Sequence, residues 1–157
     1  MCKNTCCFIG HRMIAETEEL KVKLNEIIEN LIAENSVDTF LFGSKSRFND
    51  LCYEIVSEIK SKYSYIKRVY VRAEYPHISN EYKQYLLQKY EDTYYPEGIT
   101  NSGKAAYVER NCEMIDSSDY CIIYYNEQHA PTTRKSGTKI ALDFAKKQGK
   151  KIILPNK

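Results

Sequence analysis

Apolar runs that end in glycine and give way to charged stretches with apolar residues at helical spacing recur along this chain, and that alternation constrains its fold more than any other feature. Thr5 to Ile9 is apolar and ends at Gly10, after which Leu20, Leu24, Ile27, Ile28 and Leu31 repeat at helical spacing between Glu16 and Ala33. The same unit follows at once: Val37 to Phe42 ends at Gly43, and Phe48, Leu51, Cys52, Ile55, Val56 and Ile59 then share one helical face. Ile66 to Val71 predicts a third strand, and Ser79 to Tyr90 a third helix carrying Tyr82, Tyr85, Leu86 and Lys89. Asp92 to Ser102, with Pro96 and Gly98, reads as a loop long enough to be functional. Gly103 to Ile115 reads as helix, and Asp119 to Tyr125 is a near-continuous apolar strand of the kind found at the centre of a parallel sheet. A polar loop from Asn126 to Lys135 precedes a helix capped by Ser136 and ended by Gly149, and Lys151 to Leu154 is a last short strand. Strands alternating with helices predict an α/β protein, a three-layer Rossmann-like domain with a mainly parallel sheet of about five strands, spanning residues 1–157 as one domain.

The balance of charge and apolar content narrows the function classes. With 157 residues, 23 Lys and Arg and 21 Asp and Glu, the net charge is only +2. A chain of this length buries roughly 68–70% of the surface its unfolded form exposes, so it needs neither disulfides nor a structural metal. Near-neutrality supplies no wide electropositive field, so a nucleic-acid partner is not favoured. No apolar run approaches the ~20 residues that cross a bilayer, and the N-terminus has no apolar signal core. No membrane partner and a cytoplasmic location are therefore expected. Cys2, Cys6, Cys7, Cys52, Cys112 and Cys121 lack the paired spacing of a tetrahedral zinc site and read as reduced structural thiols. His11, His77 and His129 are far apart, so neither a metal nor a cofactor is expected. Closed symmetric assemblies are common among soluble proteins, and a homo-oligomer is the expectation here.

In a parallel sheet of this kind, ligands bind beyond the carboxyl ends of the strands, so chemistry is sought in the loops that follow them. Gly10-His11-Arg12 offers close backbone approach, an imidazole and a planar guanidinium; its alternative is a tight turn with two exposed polar residues. Gly43-Ser44-Lys45-Ser46-Arg47 feeds a helix start that could hold an anion, although it lacks the ending of a Walker A loop, and a capped helix start is the alternative. Lys135-Ser136-Gly137-Thr138 opens the helix after the central strand with several free N–H groups and two hydroxyls, the strongest anion signal in the chain. Tyr107-Val108-Glu109-Arg110-Asn111 places Arg110 and Asn111 on a polar strip of a helix, within reach of a nucleotide or merely solvated. Some of the 14 tyrosines could stack a base, with packing the alternative for most.

FIGHR, FGSKSRFNDL, YVERNCEMID and KSGTKIALDFAKKQGKKII, in that order, resemble the SLOG superfamily in its branch of small bacterial and phage proteins similar to YpsA. The resemblance implies a Rossmann-like fold whose glycine-containing loops hold nucleotides or nucleotide-derived signals. Relatives include cytokinin-activating LOG hydrolases, the DNA-binding DprA group and defence-system sensors of cyclic ADP-ribose variants. It puts Gly10, Arg12, Gly43, Ser44, Arg110, Asn111, Ser136, Gly137 and Thr138 at ligand-loop positions. LOG hydrolases carry Pro-Gly-Gly-x-Gly-Thr followed by a glutamate; this chain has Arg134-Lys135-Ser136-Gly137-Thr138-Lys139-Ile140 instead. The implied function is therefore binding of a nucleotide or an ADP-ribose-like or cyclic ADP-ribose-like signal, as a sensor or sequestering protein. Cleavage of a nucleotide N-glycosidic bond is the alternative, with Asp50, Glu54, Glu109 and His11 as candidate acids, bases or nucleophiles. Asp50 is also the candidate for ribose binding, against a role in compensating its helix N-terminus. Single-stranded DNA binding is the third class.

Overall fold

The computed structural model describes residues 4–43, 45–129 and 136–157. In chain order the elements are β1 (Thr5–Gly10), α1 (Glu18–Asn35), β2 (Thr39–Phe42), α2 (Arg47–Lys60), β3 (Lys67–Val71), α3 (Asn80–Leu87), β4 (Asp92–Tyr94), α4 (Lys104–Asp116), β5 (Tyr120–Tyr124), α5 (Gly137–Lys147) and β6 (Lys151–Ile153), with a short 3-10 turn at Glu127–His129. The six strands form one sheet in the order β4-β3-β2-β1-β5-β6. Every neighbouring pair is parallel, with Cys6 opposite Phe40 and Cys7 opposite Cys121.

Side-chain alternation along the strands explains the three layers. Cys6, Phe8, Phe40 and Phe42 face a core built with Leu24, Ile28, Phe48, Leu51 and Val56 of α1 and α2. Their neighbours Cys7, Ile9 and Leu41 face the other way, onto Met114 and Ile115 of α4 and Ala141, Leu142 and Ala145 of α5. A strand with both faces covered must be apolar at nearly every position, as β1 and β5 are. Phe8 stacks on Phe40 and Phe42, with ring centroids 5.8 and 5.0 Å apart. Cys6, Cys7, Cys52 and Cys121 are buried free thiols filling these cores.

The sixth strand is β4, which lies in the segment that reads as loop. It has three residues and sits at the sheet edge beside β3, so it shows little of the apolar alternation that marks a strand. Helix starts are fixed locally: Thr17, Ser46, Ser79 and Ser136 each accept a backbone N–H three residues ahead. Among the described residues no helix is long and apolar enough to cross a membrane.

The strand order places the ligand edge. From β1 the chain builds outward through β2, β3 and β4 on one side, then returns to put β5 on the other side of β1. Loops leaving β1 and β5 consequently diverge, and a crevice opens between them at the carboxyl edge.

Candidate ligand-binding cleft

A cleft of about 520 Å³ occupies that edge. From β1 it receives Gly10, His11, Arg12 and Met13. Gly10 is required for packing: a Cβ there would meet the Phe48 side chain at 2.3–2.7 Å, so that side chain of α2 occupies the space another would need. His11 is buried and spans the crevice, its Nε2 accepting the Asn126 amide at 2.9 Å while its ring tilts against Tyr125 at 5.4 Å. That bond leaves the imidazole proton on Nδ1 and ties the loop after β1 to the loop after β5. Arg12 is exposed toward the cleft, and its carbonyl accepts the Arg47 amide at 2.9 Å.

The β2–α2 loop contributes Gly43, Lys45 and Ser46; Ser44 lies outside the described residues. Gly43 is held at both ends: its amide donates to Asn49 Oδ1 at 3.2 Å and its carbonyl accepts Arg110 Nη1 at 2.6 Å. A Cβ on Gly43 would meet Arg110 Cδ at 2.8 Å and Met114 Sδ at 2.9 Å, so this glycine makes room for α4.

Of the two sequence alternatives for Arg110, the structure removes the solvated one: it is 4% exposed and bonds to the Gly43 carbonyl, with Nε donating to Asn111 Oδ1 at 3.1 Å. Burial pulls its pKa down to about 10, against the opposing influence of Tyr70 and Glu74, so it stays charged at neutral pH. Asn111 is half-buried and lines the same wall.

Opposite stands the start of α5. Ser136, Gly137 and Thr138 all line the cleft; Lys135 lies outside the described residues. The Ser136 hydroxyl accepts the Lys139 amide at 3.0 Å, and among the described residues the Gly137 and Thr138 amides have no protein partner. Open space surrounds the position of a Gly137 Cβ. These amides can receive an anion, favoured further by the helix dipole.

Sequence reasoning missed the third side, the end of β3. Tyr70, Arg72, Ala73, Glu74 and Tyr75, with Tyr82 of α3, complete the lining. Arg72 is 8% exposed; its Nη1 donates to Thr93 Oγ1 at 3.0 Å and its Nε to the Tyr75 carbonyl at 3.3 Å. Thr93 belongs to β4 and donates in turn to the Tyr70 carbonyl at 2.8 Å. Tyr75 holds a left-handed backbone, φ 60°, and is 60% exposed at the rim near Tyr82. Looking in the loop after each strand would have found Arg72, which directly follows Val71.

The candidate acids fall elsewhere. Asp50 and Glu54 lie on the exposed side of α2, where Glu54 reaches Arg47 at 3.6 Å. Partial desolvation raises the Asp50 carboxyl above its ordinary pKa, with Arg47 opposing. Glu109 holds the entry to α4, accepting the Asn101 amide at 3.0 Å and the Thr100 hydroxyl at 3.0 Å. Desolvation raises the Glu109 carboxyl, but the bonds from Thr100 and Asn101 together bring it below its ordinary pKa. Of the candidate catalytic set only His11 lines the cleft, and Glu74 is the one carboxylate among its described lining residues. Among the described residues no cluster of His, Cys, Asp and Glu could hold a metal ion.

An all-parallel doubly wound sheet with a ligand-sized cleft at its strand-order reversal defines an α/β protein of the Rossmann-like class. The chain matches the YspA SLOG family (YpsA) over residues 11–155, and it belongs to that family. No curated protein matches it. Among solved structures it is similar to DNA processing protein A from Helicobacter pylori, described for its single-stranded DNA binding mode, at 16% identity with a TM-score of 0.61. That likeness covers 97% of this chain and 65% of the other, so the chain spans less than two thirds of its neighbour's length.

Proposed function

We propose that the cleft binds a nucleotide or a nucleotide-derived signal such as an ADP-ribose-like molecule, and that the protein works as a sensor or sequestering protein for it. The observation that carries this reading is the convergence on one cleft of about 520 Å³ of the Gly137 and Thr138 amides, without a partner among the described residues, the Arg12 guanidinium and the buried Arg110. That volume suits a nucleotide-sized ligand. A phosphate sits on the first turn of α5, where N–H groups and dipole favour negative charge. Glu74 accepts a sugar hydroxyl, the task sequence reasoning gave to Asp50, which does not line the cleft. Tyr75, Tyr82 and Tyr107 at the rim offer aromatic faces to a base.

Cleavage of a nucleotide N-glycosidic bond is the alternative within the family resemblance; Glu74, the one carboxylate among the described lining residues, is its candidate, since Asp50, Glu54 and Glu109 are not among them. Single-stranded DNA binding is a second reading, motivated by the likeness to DNA processing protein A. A net charge of +2 gives it little support.

Mass spectrometry of purified protein incubated with nucleoside monophosphates, NAD, ADP-ribose and cyclic ADP-ribose isomers tests these together. Retention of an unchanged nucleotide is the expected result. Release of free base would replace the binder with a glycosidase acting through Glu74. Retention of none of the panel, with salt-dependent capture of single-stranded DNA, would move the function to the second reading.

A further inference from the structure

We propose that the cleft has a second anion subsite, at Arg72 and Arg110, and that its ligand carries two phosphates on opposite sides of a nucleoside. This rests on the nucleotide reading above and narrows it, away from the pyrophosphate of an ADP-ribose-like molecule, to a nucleotide whose phosphates are separated by a sugar. The observation is a contrast among the arginines. Arg47 and Arg68 are paired with carboxylates, Arg68 Nη2 lying 2.7 Å from Glu91 and Arg47 Nη2 2.8 Å from Glu16. The two buried arginines of the cleft, Arg72 and Arg110, have no ion pair among the described residues.

Their hydrogen bonds run to neutral acceptors. Arg72 is held by the Thr93 hydroxyl and the Tyr75 carbonyl, Arg110 by the Gly43 carbonyl and the Asn111 amide oxygen. Those bonds fix both guanidinium planes but, among the described residues, give neither cation an ion pair; Arg110 has besides them the face of Tyr107 at 5.6 Å. This is a costly arrangement for buried cations unless an anion completes it. Glu74 is a negative charge that Arg110 feels, but among the described residues it forms no ion pair with either arginine. With Arg12 and Lys45 also lining the cleft, cations outnumber the one carboxylate among its described lining residues.

Sheet geometry separates the two ends. Arg72 follows β3, which stands two places from β1 in the strand order, so the Arg72 end lies roughly 10 Å from the Gly10 end, and the α5 end is one strand further. Adjacent phosphates of a diphosphate share a bridging oxygen and stay side by side, whereas those of a nucleoside 3′,5′-bisphosphate or a dinucleotide stand further apart on opposite sides of a sugar. The long side chain of Arg72, which lines the cleft, closes the rest of the span, with the sugar beside Glu74.

Isothermal titration calorimetry of the full chain tests this with the 5′-monophosphate, 5′-diphosphate and 3′,5′-bisphosphate of each of the four ribonucleosides, and with oligothymidylates of increasing length. The bisphosphate of the preferred nucleoside should bind about tenfold more tightly than its monophosphate, the gain expected of a charge-assisted hydrogen-bonded contact, and the diphosphate should gain much less. Arg72→Gln should remove most of the bisphosphate advantage, and Thr93→Val, which takes away the hydroxyl that holds Arg72, should reduce it. Should Arg72→Gln fail to fold, the wild-type series and Thr93→Val still decide. Equal affinities for monophosphate and bisphosphate would overturn the second subsite and leave nucleotide binding intact, as would a diphosphate that matches the bisphosphate. Oligothymidylate affinity that keeps rising beyond the dinucleotide would overturn it in favour of an open track for a polymer. Binding of no nucleotide at all would overturn the nucleotide reading itself.

Discussion

Glycines at the cleft show how one residue type serves opposite ends. At Gly10 the space for a side chain is filled by the Phe48 ring, which is itself fully buried and cannot withdraw. Gly10→Ala should therefore destabilise the fold by about 1–3 kcal/mol, the cost of overpacking, read as a lower urea midpoint. Gly43→Ala presses on the stem of Arg110 and on Met114 Sδ, both parts of flexible side chains. It should cost less stability than Gly10→Ala and weaken anion binding more, because Arg110 is what gives way. Gly137 is the reverse of both, with nothing within 4 Å of its missing Cβ. An acidic side chain in the first turn of a helix is favourable, so Gly137→Asp should leave stability within about 0.5 kcal/mol of wild type or slightly raise it. The same carboxylate would repel a phosphate from the α5 amides, so nucleotide retention should fall at least about tenfold. A variant that kept its ligand would place the phosphate elsewhere.

At the scale of elements, what the sequence made legible and what it hid follow from how each element earns its place. β1, β2 and β5 announce themselves because strands covered on both faces are nearly all apolar, β3 by the shorter run Val69–Val71 behind Lys67 and Arg68, and α1 and α2 because Leu24, Ile28, Leu51 and Val56 recur at helical spacing. β4 is hidden: Asp92 and Tyr94 at a sheet edge carry no such signal, and the strand exists because β3 offers it a partner. The same tertiary origin hides half of the cleft. Gly10, Gly43 and the Ser136 helix start are visible as local turn and cap chemistry, whereas Arg110 reads as a polar strip residue until Gly43 is laid over it. Arg72 is buried by contacts with Thr93 and Tyr75, residues brought to it by β4 and by a left-handed turn. The β3–β4 edge is clamped from outside by Glu91, which accepts from the Arg68 amide at 2.8 Å and Arg68 Nη2 at 2.7 Å, with Lys60 Nζ at 3.7 Å. Desolvation raises the Glu91 carboxyl, but the Arg68 bonds and the charges of Arg68 and Lys60 outweigh it and bring its pKa below the ordinary 4.5. A carboxyl held low in the folded state stabilises above its unfolded pKa and loses that contribution as pH falls through the folded value. Glu91→Gln should therefore cost about 1 kcal/mol at pH 7, a figure tempered by the partial exposure of the pair. In urea unfolding the gap between variant and wild type should close as pH drops below 4.5, and a gap independent of pH would assign Glu91 a packing role only.

For the whole molecule, the cleft is where the loops leaving the strands meet the helices above the shared core. Its walls come from the ends of β1, β2 and β3 and from α3, α4 and α5, and the protein's own links there include His11 to Asn126 between the β1 and β5 loops, Arg12 to Arg47 between the β1 loop and the start of α2, and Arg110 to Gly43 between α4 and the β2 loop. A ligand that contacts the α5 amides and Arg72 together would tie these units to one another and bind only the folded state. At a free concentration about a hundredfold above its Kd it adds about 2.7 kcal/mol to stability, and for a chain of this size that corresponds to a rise in Tm of about 5–10 °C. Thermal melts should show that rise for the 3′,5′-bisphosphate at a concentration where the monophosphate produces a smaller one, with Arg72→Gln bringing the two together. Salt separates this from a nucleic-acid track. A ligand with two phosphates has few counterions to release and should lose affinity gently between 50 and 200 mM salt, whereas a single strand crossing the cleft would weaken with a log–log slope of about −0.7 per phosphate contacted. A steep slope that grows with strand length would make the +2 net charge a poor guide to this edge of the sheet, where the cations Arg12, Lys45, Arg72 and Arg110 are gathered around one carboxylate.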